Sequence, residues 1–123
     1  MSFMEHPPTP EALATEGERL KEQAWLMVAD ANTPSEFSFP NAYAQQAYRF
    51  EEIAKWAAKV KRLVQKEQVA EARAFYAKAR AGWLVTKPVY DKAKKEEPEC
   101  FRQRRELARI MTENAQNPKN IIF

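Results

Sequence analysis

The stretch LVQKEQVA, Leu63–Ala70, decides the fold, because a long apolar pattern changes phase there. Residues 41–81 contain neither glycine nor proline, so local propensity would permit one continuous helix. The step of five residues from Val64 to Val69 rotates the apolar stripe by roughly 140°. We therefore predict a tight turn near Gln65–Gln68 and an antiparallel hairpin; a straight helix that changes partners midway is the alternative. The two stripes comprise Ala47, Phe50, Ala54, Ala57, Val60 and Val64, then Val69, Ala72, Tyr76, Ala79 and Trp83.

The segment before the hairpin predicts one more helix. Thr9 followed by Pro10 is a good helix start, since the hydroxyl caps the first amides and proline is favoured at the first helical position. Apolar residues recur at helical spacing from there to about Asp30. Gly17 costs about 1 kcal/mol inside a helix, so we expect it to pack closely against another backbone. The proline-containing stretch Ala31–Pro40 then predicts a loop.

The segment after the hairpin contains three residues that interrupt helices. Gly82 suits the left-handed conformation that ends a helix, and Pro88 resists continuation. We expect a short helix from about Pro88 to Glu96, and a last helix that Pro98 opens and that ends near Asn114–Pro118. Its inner face is predicted to comprise Phe101, Leu107, Ala108 and Met111.

These elements predict an all-α fold, a single-domain helical bundle of four to five helices around a long antiparallel helical hairpin. Apolar residues make up 45% of the 123 residues, which is enough for one hydrophobic core. We divide the chain into a flexible arm at residues 1–9, the bundle domain at residues 10–118 and an apolar C-terminal tail at residues 119–123.

Cysteine usage and hydropathy indicate the compartment. Cys100 is the only cysteine, which excludes an internal disulfide and a thiolate metal cluster and favours a reducing, cytoplasmic compartment. The first ten residues lack a positive region followed by an apolar run, so we expect no secretory signal. No stretch approaches the roughly 20 apolar residues that cross a bilayer. We expect no membrane partner, no metal and no cofactor.

Charge is distributed unevenly along the chain. The net charge is +3, but residues 1–54 hold three Lys or Arg against nine Asp or Glu, whereas residues 55–123 hold 17 against eight. The two parts therefore carry −6 and +9. Such asymmetry indicates either an anionic partner for the second part or two parts that face each other.

Positive side chains form a stripe on the first helix of the hairpin. Lys55, Lys59, Arg62 and Lys66 follow steps of four, three and four, which places them on one side of a helix, with Lys61 beside them. No acidic residue interrupts residues 55–66, although exposed helices usually mix signs. The stripe predicts contact with nucleic acid phosphates; a solvated helix surface is the alternative.

A second basic cluster lies in the last predicted helix. Arg102, Arg105 and Arg109 share a side there, and the planar guanidinium suits bidentate phosphate contact. Glu99 and Glu106 lie within one turn and can neutralise part of this cluster. A salt-bridged helix surface is therefore the favoured interpretation, with nucleic acid contact as the alternative.

Aromatic residues are interpreted as core residues whose polar tips reach the rim, rather than as stacking platforms for bases. They are Trp25, Trp56, Trp83, Tyr43, Tyr48, Tyr76 and Tyr90. Catalytic groups are few, since His6 is the only histidine and two glycines 65 positions apart cannot form a phosphate-binding loop. We therefore expect a protein that is not an enzyme.

Residues 87–107, KPVYDKAKKEEPECFRQRREL, locally resemble part of the theta subunit of bacterial DNA polymerase III. The resemblance rests on Pro88, Val89, Ala93, Glu97, Pro98, Glu99 and Arg102. It implies a helix, an acidic-proline turn and an arginine-bearing helix. The segment between the prolines is one residue shorter here, the first 60 residues have no counterpart, and the chain is not assigned to that family.

The leading hypothesis is a non-enzymatic accessory protein that contacts nucleic acid, DNA or RNA, or a nucleoprotein complex through the basic helix surface. The alternative is a protein-binding adaptor or inhibitor subunit, of the phage, mobile-element or replication-accessory type, which acts by groove or tail contacts. Ile121, Ile122 and Phe123 are the predicted partner-binding residues of the tail. Self-association as a homodimer is a third possibility.

Overall fold

The computed structural model describes residues 2–32 and 44–116, and every regular element within them is helical. Helix α1 spans Pro10–Ala31, a short 3-10 turn spans Ala44–Gln46, α2 spans Ala47–Gln65 and α3 spans Val69–Gln116. The all-α class is confirmed, and three long helices agree with a bundle. The predicted number of four to five helices is wrong for the described residues. Most of the predicted loop Ala31–Pro40 lies outside them.

Helix α1 begins where the sequence predicts. The Thr9 hydroxyl accepts a hydrogen bond from the Ala12 amide at 3.0 Å, and Pro10 occupies the first helical position. This cap satisfies one of the amides that have no partner within the first turn.

The turn between α2 and α3 is a Schellman motif. The amide of Glu67 donates to the Val64 carbonyl at 3.0 Å, and the amide of Gln68 donates to the Leu63 carbonyl at 2.9 Å. Glu67 takes the left-handed conformation, with φ of 60°, that glycine usually takes in this motif. The chain reverses over these residues and α3 returns along α2. The predicted hairpin is confirmed, and the straight-helix alternative is excluded.

Helix α3 runs through the three residues that were expected to interrupt it. Gly82 has no positive φ, so the predicted helix end there is wrong. Pro88 and Pro98 lie inside α3, and the predicted separate helices are wrong as well. Each proline removes one helical hydrogen bond at a cost of about 3 kcal/mol. Helix continues past Pro88 because Thr86 and Tyr90, on either side of it, are buried in the same core.

The core lies where α1 and α3 pack against α2. It contains the apolar residues that both hairpin stripes contribute, together with those of α1. The larger fully buried side chains are Leu13, Leu20, Phe50, Ile53, Val60, Tyr76 and Tyr90. Phe50 is the central aromatic residue, since its ring lies 5.6 Å from Trp83 and 5.4 Å from Tyr90, both in edge contacts.

Two glycines permit close approach of the helices. A Cβ atom at Gly17 of α1 would lie 2.7 Å from Cβ and Cγ1 of Val60 on α2. A Cβ atom at Gly82 of α3 would lie 2.9 Å from Cγ1 of Ile53. The expectation of close packing at Gly17 is thus confirmed, although the contact is with a side chain and not with backbone.

Residues 2–9, for which the sequence predicts a flexible arm, lie against α1 and α3, and we call them the N-terminal strap. Phe3 is buried, with its ring 5.4 Å from that of Trp83. Arg80 of α3 donates to the Phe3 carbonyl at 3.0 Å, and Arg73 donates to the Pro7 carbonyl at 2.7 Å. These two arginines hold the backbone of the strap in place. The strap has no periodic apolar pattern, so the sequence does not indicate that it packs against the helices.

A buried carboxylate connects the strap to both helices. Glu16 of α1 is 6% exposed and accepts hydrogen bonds from the Met4 amide at 3.1 Å and from Arg19 at 2.8 Å. Tyr76 of α3 donates to the Met4 carbonyl and lies 3.5 Å from the Glu16 carboxylate. Burial, and then the nearby negative charge of Glu16, raise the pKa of Tyr76 to about 12.

Glu97 is the last buried residue of α3 among those whose side chains the structure describes, and the helix extends past the bundle. We call residues 98–116 the α3 arm. Every residue from 102 to 115 is exposed. At 48 residues and about 1.5 Å per residue, α3 is about 72 Å long, compared with about 28 Å for the 19 residues of α2.

Candidate nucleic-acid interface

The basic stripe occupies the outer side of α2. Lys55, Lys59 and Arg62 of α2, and Lys66, which caps its C-terminal end, lie within about 60° of one another around the helix axis, at about 100° per residue. All four are exposed, and the buried residues of α2 lie on the opposite side. The hairpin produces this arrangement because α1 and α3 both pack against the inner side of α2. We call these four residues the α2 stripe.

Three members of the α2 stripe have no carboxylate partner in the part of the chain that the structure describes. Lys55 pairs with Glu51 at 3.2 Å, one turn earlier in the same helix. Lys59 lies over the ring of Phe75, with Nζ 4.7 Å from the ring centroid. No Asp or Glu oxygen among residues 2–32 and 44–116 forms an ion pair with Lys59, Arg62 or Lys66. All three residues are exposed, and no described carboxylate neutralises their positive charge.

Lys61 lies apart from the stripe. It contributes to a depression between α2 and α1 whose walls include Glu18 and Glu22. Glu18 itself pairs with Lys21 at 2.8 Å. Lys61 was predicted to lie beside the stripe, but one residue step of about 100° turns it away from Arg62 and toward α1.

The arginines of the α3 arm are largely neutralised by carboxylates of the same helix. Arg102 donates two hydrogen bonds to Glu99, at 2.9 and 2.6 Å. Arg109 pairs with Glu106 and, at 2.7 Å, with Glu113. The hydrogen bond from Arg102 lowers the pKa of Glu99, and the hydrogen bond from Arg109 lowers the pKa of Glu106. These contacts favour the salt-bridged interpretation of this cluster.

Arg105 differs from its two neighbours on that side of the arm. It is exposed, and no ion pair with it occurs among the described residues. The three arginines predicted to bind nucleic acid thus share one helix side, as their spacing indicates, but they do not form a continuous positive surface.

The members of the predicted inner face of the last helix whose side chains the structure describes are not buried, and the side chain of Phe101 lies outside that description. Leu107, Ala108 and Met111 are all exposed, as is Ile110. The exposed fractions of Leu107, Ile110 and Met111 are 58%, 43% and 64%. The prediction assumed a separate helix that folds back on the bundle; in the structure α3 continues outward, so α1 and α2 do not reach these residues.

An apolar groove between α2 and α3 borders the α2 stripe, and no pattern in the sequence indicates it. We call it the α2–α3 groove. It has a volume of about 470 Å³ and its walls include Ile53 and Trp56 of α2 and Gly82 and Val85 of α3. Tyr48, which is 58% exposed, also lines it. The groove depends on the close approach of the two helices at Gly82, which only the folded structure reveals.

Cations lie over two aromatic rings that line the α2–α3 groove. Nζ of Lys78 lies 4.5 Å from the ring centroid of Trp56, and the guanidinium of Arg49 lies 5.7 Å from that of Tyr48.

The interpretation of aromatic residues as core is confirmed for Tyr76, Trp83 and Tyr90, which are buried, and is wrong for Tyr48 and for Trp25, which is 42% exposed.

Tyr43, Ile121, Ile122 and Phe123 lie outside the described residues. Within residues 2–32 and 44–116, no group of three or more His, Cys, Asp or Glu side chains is placed to hold a metal ion. No helix in the same ranges is long and apolar enough to span a bilayer.

Comparisons with protein-family models, with curated proteins and with solved structures found no match to this chain. The turn at Glu97–Pro98, which the local resemblance to the theta subunit implies, is also absent, since α3 continues through it.

Proposed function

We propose that this protein is a non-enzymatic accessory protein that contacts nucleic acid, or a nucleoprotein complex, through the α2 stripe. One observation supports this proposal above the others: Lys59, Arg62 and Lys66 are exposed along one side of α2 and its C-terminal cap, without a carboxylate partner among the described residues. Such a cluster attracts phosphates because binding releases counterions from the nucleic acid.

A salt titration tests this proposal. Three phosphate contacts, from the cations of the stripe that have no carboxylate partner, predict a slope of log K against log salt of about −2.7 for duplex DNA and about −2.1 for a single strand. The affinity of labelled oligonucleotides is measured at several salt concentrations for wild type and for the triple variant Lys59→Gln, Arg62→Gln, Lys66→Gln. We expect the variant to lose most of the affinity and to reduce the magnitude of the slope by about 2 to 3.

The α3 arm offers a matched control. The triple variant Arg102→Gln, Arg105→Gln, Arg109→Gln removes the same number of positive charges. Because Arg102 and Arg109 are paired with glutamates, this variant should change the slope by about 1 or less. Absence of binding at low salt, or equal effects of the two triple variants, would contradict the proposal.

A second candidate function is the protein-binding adaptor, and the α3 arm favours it. Leu107, Ile110 and Met111 are exposed on a helix that extends past the bundle. The arm carries four arginines and three glutamates, so its excess of positive charge is only +1 and attracts an anionic polymer weakly. An exposed apolar strip on a nearly neutral helix is typical of a helix that packs against another protein. The predicted homodimer would be one such case.

A further inference from the structure

The α2–α3 groove combines an apolar floor with cations that already lie on aromatic rings. Its volume of about 470 Å³ is within the range of about 300 to 1,000 Å³ that is usual for ligand sites. Trp56 and Val85 provide apolar walls, and Val85 is 63% exposed. The charged groups at the groove are Arg49, Lys78 and a single carboxylate, Glu52. The groove is therefore apolar within and net positive at its rim.

The groove and the α2 stripe are adjacent, and Lys59 connects them. Lys59 belongs to the stripe, yet its ammonium group lies over Phe75 of α3, one turn from Lys78 on the same helix. Lys78 in turn lies over Trp56. Cations and aromatic rings thus alternate along the seam between the two helices, beside a row of cations that faces solvent.

We propose that this seam binds single-stranded nucleic acid, with unpaired bases in the α2–α3 groove and phosphates on the α2 stripe; the inference rests on the proposed function. An ammonium group that covers an aromatic ring can move to a phosphate and leave the ring face to a base, which stacks there. In the groove, Lys78 moves from the ring of Trp56 to a phosphate, and a base stacks on that ring. Lys59 moves from the ring of Phe75 in the same way.

The geometry favours a single strand over a duplex. Phosphates alone need only the α2 stripe, and the bases of a duplex are stacked inside it and cannot enter a groove between two helices. A single strand presents both groups, a flat base and an anionic phosphate, in alternation. DNA and RNA share this chemistry, so both enter the test.

The test compares single-stranded and duplex oligonucleotides of equal length, as DNA and as RNA, on the full chain. Trp56→Leu removes the ring in the groove, and Trp25→Leu removes an exposed ring on α1, away from the groove. We expect Trp56→Leu to weaken single-strand binding about 5- to 100-fold and to leave duplex binding within about twofold. Trp25→Leu should leave both unchanged. Wild type should prefer the single strand.

A second variant distinguishes loss of binding from loss of folding. Tyr48→Leu changes an exposed residue at the groove, so it should also weaken single-strand binding while thermal unfolding stays as in wild type. Equal affinity for single strand and duplex, with no effect of Trp56→Leu or Tyr48→Leu, would overturn the inference and leave the proposed function standing. Competition by polyglutamate as strong as that by the single strand would overturn it too, because the groove would then not select bases. Absence of binding to any oligonucleotide would remove the proposed function itself.

Discussion

At the scale of single residues, the contact between Tyr76 and the strap shows how a polar group stabilises an aperiodic segment. The Tyr76 hydroxyl donates to the Met4 carbonyl from a buried position beside the Glu16 carboxylate. Burial and that negative charge both disfavour the phenolate, which is why the pKa rises to about 12.

We predict that Tyr76→Phe lowers the free energy of unfolding by about 1 to 3 kcal/mol near pH 8, because the Met4 carbonyl loses its buried donor. Below pH 10 the tyrosine is protonated in both states. Between about pH 10 and 12 the unfolded chain loses the proton and the folded chain keeps it, so this contribution falls as the pH rises.

Urea denaturation of wild type and Tyr76→Phe between pH 8 and 11 measures this effect. The difference between the two proteins should decrease above pH 10. Since other groups titrate in both proteins, only that difference is informative. Two curves that stay parallel over the whole range would contradict the assigned role of Tyr76.

At the scale of elements, the hairpin was predictable and the continuity of α3 was not. The step of five from Val64 to Val69 changes the buried side of the chain, and only a turn can keep both stripes in one core. Gly82 and Pro88 carry local signals for helix ends, but Trp83, Thr86 and Tyr90 around them share one buried side. The packing of that buried side outweighs the local propensity of Gly82 and Pro88 to end a helix. The sequence pattern does not show how strong this packing is.

Pro88→Ala tests the continuity of α3. If the helix runs through this exposed position, alanine restores the hydrogen bond to the Leu84 carbonyl, and the free energy of unfolding should rise by about 1 to 3 kcal/mol. Two separate helices would instead make the substitution neutral or destabilising. Chemical denaturation distinguishes the two results.

Pro98→Ala is the matched control, since Pro98 is also exposed within α3 but lies at the start of the α3 arm. It should increase helix content by circular dichroism without raising the free energy of global unfolding, because residues 102–115 of the arm are exposed. A gain equal to that of Pro88→Ala would show that the arm is part of the cooperative unit.

At the scale of the whole molecule, the candidate site comprises the α2 stripe and the α2–α3 groove, and only the groove depends on tertiary structure. The α2 stripe was predictable from spacing, because Lys55, Lys59 and Arg62 lie on one helix and Lys66 caps its C-terminal end. The α2–α3 groove was not, since it requires Trp56 and Gly82, which are 26 residues apart, to meet. The charge asymmetry is only partly resolved within the fold: Asp30 of α1 pairs with Lys94 of α3 at 2.5 Å, whereas the stripe faces solvent.

The separation of the α3 arm from the core gives a prediction for the adaptor hypothesis. Leu107→Lys with Met111→Lys should change the free energy of unfolding by no more than about 0.5 kcal/mol, because both side chains are already exposed. The same variant should lose protein cross-links at the arm, measured by mass spectrometry in cells that express it, and should sediment as a monomer even if the wild type forms the predicted homodimer.

Thr112→Lys, on the polar side of the arm, is the control and should retain those cross-links. Unchanged cross-links in the double lysine variant would contradict the adaptor hypothesis. A large loss of stability would show instead that the arm folds back on the bundle.

The length of α3 has a mechanical consequence. Phe75, beside Lys59, and Arg109 are 34 residues apart on one helix, a distance of about 51 Å along the axis. A ligand bound at the hairpin and a protein bound at the end of the α3 arm would be held at this fixed distance from each other. Adding seven residues after Pro98 would lengthen this spacer by about 10 Å while keeping nearly the same angular orientation of the tip.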